Sequence, residues 1–183
     1  MRFLLCAGLL AAGPGGAQTI PPMPASALPT PAPASSLRTY ALRLRPGQDV
    51  RQELLAFVEH HNLKAACVLT AVGSLTTATL RLANQEGATV YQGHFEIVSL
   101  VGTLARSGSH LHLSVSDSTG RTVGGHLLEG NRVYTTLELV IGELPELEFR
   151  RETDPTFGYR ELTVYPAAAP ARGPAPRRAG RKK

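Results

Sequence analysis

Three histidines stand near one another on segments that have the residue pattern of β-strands. His110 and His112 belong to the run His-Leu-His-Leu-Ser-Val-Ser, and His126 follows the pair Gly124-Gly125. Because side chains alternate between the two faces of a strand, His110 and His112 project to one face while the intervening leucines project to the other. The sequence therefore predicts a pair of imidazoles on one face of a sheet.

A turn between the two segments brings the third histidine to this pair. Asp117-Ser118-Thr119-Gly120 has the composition of a tight turn, and residues 121–128 can return as an antiparallel strand. Three imidazoles that leave one position open are the ligand set of a catalytic-type zinc site. We therefore predict that His110, His112 and His126 bind a divalent metal, with zinc as the expected ion. The alternative is that they are partly buried strand residues with ordinary hydrogen bonds.

Catalysis at such a site also needs a group that handles protons. Glu96 is the candidate, because it is the acidic residue in an otherwise apolar strand segment. The alternative for Glu96 is an ion pair with an arginine such as Arg81 or Arg106. His94, on the same strand face as Glu96, is interpreted as a surface residue rather than as support for a metal ligand. No complete catalytic constellation is recognised, so enzymatic activity stays open.

The two ends of the chain differ in composition from its middle. Residues 1–17 combine an early arginine, an apolar run and small residues, as a secretory signal peptide does. Residues 18–36 are rich in Pro and Ala and predict a flexible linker, and residues 167–183 predict a disordered basic tail. Residues 37–166 remain as one domain, which is long enough to form a single core.

The charge of the chain is unevenly distributed. The whole chain has 19 Lys and Arg against 14 Asp and Glu, a net charge of +5. Residues 37–166 contain 12 of these basic and all 14 acidic side chains, which gives this segment a net charge of −2. The basic character therefore belongs to the tail. Composition therefore gives no electrostatic support for nucleic-acid binding by the domain. The tail predicts only weak, non-specific contact with phosphates.

Two signals in the sequence indicate different compartments. The leader predicts export, cleavage after Ala17 and a secreted or luminal protein, whereas the basic tail favours the cytosol or nucleus. No apolar stretch reaches the length of a membrane span. Cys67 is the one cysteine outside the leader, so the mature chain has no internal disulfide framework. Its apolar neighbours predict a buried, unpaired thiol without a chemical role.

The elements that position the histidines follow from periodicity and turn residues. An alternating strand at 40–44 precedes a helix that begins after Asp49, has a capping-box pattern with Gln52, and ends near Asn62. The remaining strands are separated by turn residues, with breaks at Gly73 and Gly93 among others. They are predicted at 66–72, 76–82, 89–91, 94–101, 109–116, 122–128, 133–141 and 160–164. One helix on a curved, largely antiparallel sheet gives an α+β domain.

The order of these motifs resembles the plant and prokaryote conserved (PPC) domain over about residues 39–165. The similar segments are Val68–Leu75, Gly93–Gly102, His110-Leu111-His112 with Asp117, and Gly124-Gly125-His126. The resemblance implies an α+β subunit that assembles as a homotrimer. In plant members the domain is joined to AT-hooks that bind A·T-rich DNA, while the PPC part mediates self-association. No Arg-Gly-Arg-Pro core of an AT-hook occurs in this sequence.

The histidine pattern is that of prokaryotic-type members. It is also similar to the metal site of a wider superfamily that includes acetolactate decarboxylase and a zinc-dependent ester hydrolase. By that resemblance His110, His112 and His126 are the ligands, with a small molecule as a further partner at the metal. We predict a homotrimeric, zinc-binding PPC-domain protein with no assured catalytic activity. The alternatives are a zinc-dependent lyase or hydrolase acting on a small carbonyl compound, and a DNA-associated module acting through the tail.

Overall fold

The computed structural model describes residues 32–156 and 158–168. The predicted signal peptide at 1–17 lies outside these ranges, as do most of the predicted linker at 18–36 and nearly all of the predicted tail at 167–183. Within the described residues, no helix is both long enough and apolar enough to cross a membrane.

The described chain forms eight strands and one helix. In order these are β1 (Arg38–Leu44), α1 (Val50–His60), β2 (Ala66–Arg81), β3 (Thr89–Ala105), β4 (Gly108–Ser116), β5 (Thr122–Leu127), β6 (Arg132–Glu143), β7 (Leu147–Thr153) and β8 (Arg160–Pro166). Strands β1 to β6 form an antiparallel sheet in the order β1-β6-β2-β3-β4-β5, and β7 and β8 form a separate hairpin. The predicted α+β class is confirmed.

Strands β2 and β3 are longer than the sequence predicts. The turns expected at Gly73 and Gly93 are absent, because both strands continue through these residues. Gly73 has a φ of +155° and Gly93 a φ of +152°, a conformation that glycine adopts at bulges and bends of a strand. The register between β2 and β6 shifts directly after Gly73. The prediction of turns is therefore wrong, and these glycines bend strands instead of ending them.

The curved sheet closes on itself at β5. The last residues of β2, Leu80 and Arg81, pair with Leu127 and His126 of β5, which also pairs with β4. Gly125 permits this approach, because a Cβ atom there would lie 2.7 Å from the carbonyl oxygen of Arg81. Strand β5, and with it His126, is therefore held between two neighbouring strands.

The core lies between one face of the sheet and α1. Val50, Leu54 and Val58 recur at helical spacing and are at most 1% exposed. They pack in one cluster with strand residues that include Leu75, Leu80, Leu104, Leu111, Leu113, Leu127, Leu137 and Ile141. Asp49 caps the helix as predicted, accepting a hydrogen bond from the backbone N–H of Gln52 at 3.1 Å. Because the leucines of β4 point into this core, its histidines point to the opposite face.

The β7–β8 hairpin joins the domain through a second, smaller apolar cluster. Its residues Leu147 and Phe149 are buried against Ala65 and Ala105. The backbone N–H of Phe149 donates to the carbonyl oxygen of Lys64 at 3.0 Å. Strand β7 is not predicted from the sequence, because its apolar alternation ends after Phe149 and charged residues follow.

Candidate metal centre

The three predicted ligands meet on the sheet face opposite the core. His112 is directly opposite His126 in the β4–β5 register, and His110 lies two residues along the same face. Ring centroids are 5.1 Å apart for His110 and His112, 5.2 Å for His110 and His126, and 5.7 Å for His112 and His126. One ring nitrogen from each residue lies within 4.8 Å of the others. The structure thus brings all three histidines together.

The donor set fits a metal ion. Tetrahedral zinc binds imidazole nitrogens at about 2.0–2.1 Å, which separates those nitrogens by about 3.3 Å, so the three rings would have to move closer together to bind one ion. In the described part of the chain, the Nδ1 atom of His126 is buried and has no hydrogen-bond partner. A buried polar atom without a partner costs stability. A cation among the three rings would give His126 the partner that the protein does not provide.

The surroundings favour the neutral form of two of these imidazoles, His126 and His110, and the neutral form is the one that binds metals. Burial, and then the positive charge of Arg81, lowers the pKa of His126 to about 4. Burial, followed by the charge of Arg151, also lowers the pKa of His110. Neutral rings offer a lone pair without first losing a proton. His126 and His110 are therefore favoured in the form that binds a cation.

Two grooves border the histidines. The first has a volume of about 300 Å³ and is lined by Val101, Gly102, Thr103, His110, His112, Arg151, Glu161 and Leu162. The second has a volume of about 370 Å³ and is lined by Arg81, Leu82, Ala83, His112, Gly124, Gly125 and His126. His112 lines both grooves, so small molecules can reach the histidines from two sides.

Glu96 is not brought to this site. In the β3–β4 register it lies opposite Ser116, four residues beyond His112 along β4, which corresponds to about 13 Å of strand. Its side chain is exposed. Across the described chain neither arginine considered as its partner pairs with it, and Arg106 instead pairs with Glu59 at 3.2 Å. Glu96 is therefore too far along the sheet to act together with the histidines of the same chain.

A different carboxylate, that of Glu161 on β8, lines the first of these two grooves. Arg151 on β7 lines the same groove. Sequence reasoning missed both residues. They lie far from the histidines in the chain, and β7 itself was not predicted. The sequence did predict a strand at 160–164, but no local signal told which part of the sheet this strand would approach.

Two further sequence predictions have different outcomes. His94 is a surface residue as predicted, and its ring stacks on Tyr134 with centroids 4.2 Å apart. Cys67 is a free thiol, but it is half-buried rather than buried. Side chains alternate along β2, so Ala66 points to the core and Cys67 points to the outer sheet face, opposite Thr103. Partial burial raises the pKa of the Cys67 thiol.

Comparison with known proteins identifies the domain. The Plants and Prokaryotes Conserved (PCC) domain matches residues 32–145. A hypothetical protein from Salmonella cholerae-suis is 51% identical, with a TM-score of 0.73, over 74% of this chain and 99% of that chain. A PPC protein from Pyrococcus horikoshii shares the fold at 23% identity and a TM-score of 0.63, over 72% of this chain and 96% of that chain. A metal-containing protein from Archaeoglobus fulgidus shares it at 22% identity and a TM-score of 0.63, over 72% and 99%.

Curated relatives contain the same domain within longer chains. The bifunctional protein GlmU of Synechococcus is 48% identical over 148 residues, which are 81% of this chain and 23% of GlmU. The AT-hook motif nuclear-localized protein 13 of Arabidopsis thaliana is 31% identical over 148 residues, 72% of this chain and 32% of that protein. This chain therefore spans about a quarter to a third of these relatives. From its fold and the match across residues 32–145, the chain belongs to the plant and prokaryote conserved (PPC) domain family.

Proposed function

We propose that this protein is a metal-binding PPC-domain protein in which His110, His112 and His126 bind one zinc ion per chain. The proposal rests on His126, whose buried Nδ1 atom has no partner in the described chain and whose ring lies beside two further imidazoles. Three imidazole ligands favour zinc among the abundant divalent ions. When bound, zinc would supply a Lewis acid with one open position.

Metal analysis of the purified full chain tests this proposal. Mass spectrometry of the metal content should find close to one zinc per chain, and a chelator should remove it. His112→Ala and the double variant His110→Ala/His112→Ala should lose the metal. His94→Ala is the matched control, because His94 is an exposed histidine of the same sheet outside the cluster, and it should retain zinc.

Two results would contradict the metal proposal. One is wild-type protein without any bound transition metal after purification in zinc-containing medium. The other is an undiminished metal content in the double histidine variant.

We also propose that the protein assembles as a homotrimer. The sheet face that presents the histidines also presents Leu69 and Val72, which are 46% and 59% exposed. Exposed apolar side chains in one area indicate contact with another protein surface, and cyclic symmetry covers the same area in every copy. The number three comes from the resemblance to the PPC domain.

Light scattering of the full chain at micromolar concentration should give a trimer, and a monomer would contradict the proposal.

A DNA-associated role through the tail is the second candidate function. The similarity to a nuclear-localized AT-hook protein favours it and would place this protein in the nucleus. Residues 37–166 have a net charge of −2, and the sequence contains no AT-hook core. We therefore expect weak DNA binding through residues 167–183, without sequence preference. Binding to an A·T-rich duplex that survives tail removal at about 200 mM salt would instead make the domain the DNA-binding part.

A further inference from the structure

The groove between β4 and the β7–β8 hairpin combines one cationic and one anionic side chain with two of the proposed metal ligands. Arg151 and Glu161 line it together with His110 and His112. Its volume of about 300 Å³ is at the lower end of the range for small-molecule sites. The groove is therefore suited to a small polar compound.

Arg151 is held in position without being neutralised. One of its guanidinium nitrogens donates to the carbonyl oxygen of Arg160 at 2.5 Å, and Arg160 donates back to the carbonyl oxygen of Arg151 at 2.7 Å. Across residues 32–156 and 158–168, no carboxylate forms an ion pair with Arg151. An oriented arginine without a counter-ion matches a carboxylate or phosphate of a ligand.

The carboxylate of Glu161 favours a ligand carboxylate over a phosphate. An ionised carboxylate only accepts hydrogen bonds, so the part of the ligand that faces Glu161 must be a donor. A dianionic phosphate would be repelled by Glu161, whereas a hydroxyl group would satisfy it. The two side chains together select one negative charge and one hydroxyl donor.

We propose that the β7–β8 hairpin makes the metal site selective for a small monocarboxylate that contains a hydroxyl group. Arg151 would pair with the carboxylate of the ligand, and the hydroxyl group would donate to Glu161 beside the metal ligands His110 and His112. The inference rests on the proposed zinc site and adds the class of ligand that the site binds.

The hairpin is separate in sequence from the part of the chain that holds the metal ligands. The family match ends at residue 145, before β7 and β8, whereas the histidines lie inside it. The hairpin is anchored next to them, because the Ser107 hydroxyl donates to the carbonyl oxygen of Phe149 at 3.0 Å and Phe149 is buried.

Calorimetric titration of the zinc-loaded full chain with lactate tests this inference. Lactate should bind more tightly than acetate, which lacks the hydroxyl group, and more tightly than inorganic phosphate. Arg151→Met should weaken lactate binding about tenfold or more, as expected for loss of a charge-assisted contact. Arg150→Met removes the same charge from a residue that pairs with Glu148 at 2.8 Å outside the groove, so it should change the Kd less than twofold.

A second pair of variants tests Glu161 independently. Glu161→Gln should weaken lactate binding and improve phosphate binding, whereas Glu152→Gln, which changes its cross-strand neighbour, should do neither. Zinc content is measured first in every variant. Absence of zinc in the wild type contradicts the metal proposal itself. Bound zinc without lactate binding, equal affinity for acetate and lactate, or unchanged affinity in Arg151→Met would overturn the ligand inference alone.

Discussion

The outer face of the sheet has two regions with different surfaces, which we call the histidine end and the apolar end. At β4 and β5, the histidine end presents His110, His112 and His126. At β2, the apolar end presents the exposed side chains of Leu69 and Val72. The same strand alternation directs both sets away from the core. Backbone geometry therefore determines which way a side chain points, and residue type alone determines what the surface can bind.

The two ends are incomplete in different ways. At the histidine end a buried nitrogen of His126 has no partner among the described residues, which a cation can provide. At the apolar end hydrocarbon is exposed to water, which a second protein surface can cover. If the two ends act separately, each should be removable without loss of the other.

The largest expected effect comes from a charge at the apolar end. Val72→Glu places a carboxylate among apolar side chains and directly opposite Glu138, so the trimer should dissociate completely while zinc stays bound. Val90→Glu, at a 54% exposed valine near the start of β3, is the control and should remain trimeric. Light scattering and metal analysis on the same samples check both outcomes. Loss of zinc on dissociation would show that the two ends depend on each other.

A methyl group at Gly125 should disturb the histidine end next most strongly. A Cβ atom there would lie 2.7 Å from the carbonyl oxygen of Arg81, so β5 must shift and take His126 with it. We expect Gly125→Ala to lower the free energy of unfolding by roughly 1–3 kcal/mol and to weaken zinc binding. Gly87→Ala, where no atom lies within 4 Å, should behave as wild type. Denaturant unfolding measures both variants, and equal stability would disprove the close approach of β5 to β2.

A smaller effect is expected from pH on the metal-free protein. Folding lowers the pKa of His126 from 6.5 to about 4, so between these values the unfolded chain binds more protons than the folded chain. The free energy of unfolding should therefore fall as the pH is lowered from about 6.5 towards 4. Unfolding in the presence of a chelator measures this slope, and His126→Gln should reduce it. An identical slope in that variant would assign the pH dependence to other groups.

The smallest effect is expected at Glu96. Because this residue is exposed and lies away from the histidines, Glu96→Gln should leave zinc content, assembly and lactate affinity unchanged. Glu161→Gln is the comparison variant, since it should change lactate affinity. A change in lactate affinity in Glu96→Gln comparable to that in Glu161→Gln would return Glu96 to the list of site residues.

The histidine end could be predicted from sequence because its geometry is local. Alternation fixes the face of His110 and His112, and the turn at 117–120 sets the register that brings His126 opposite His112. That turn forms as expected, with the Gly120 N–H donating to the carbonyl oxygen of Asp117 at 3.0 Å. Short-range rules are sufficient where the contacting residues are close in the chain.

Other features depend on contacts that sequence periodicity does not encode. Glycines at positive φ can either end or bend a strand, so Gly73 and Gly93 are ambiguous until neighbouring strands are placed. The outward position of Cys67 depends on the register of β2. Arg151 and Glu161 reach the histidines only because Phe149 is buried against a distant part of the chain.

The turn at 117–120 also has a consequence for the order in which the protein folds. The histidines lie within residues 110–126 on two strands joined by this tight turn. Arg151 and Glu161 line the same groove but are 25 or more residues farther along the chain, so their contact with the histidines closes a longer loop. Short loops close at a lower entropic cost than long ones, so β4 and β5 should pair before the β7–β8 hairpin docks. Pulsed hydrogen exchange during refolding should protect β4–β5 amides first. The nascent chain would then bind its metal before the groove beside it is complete.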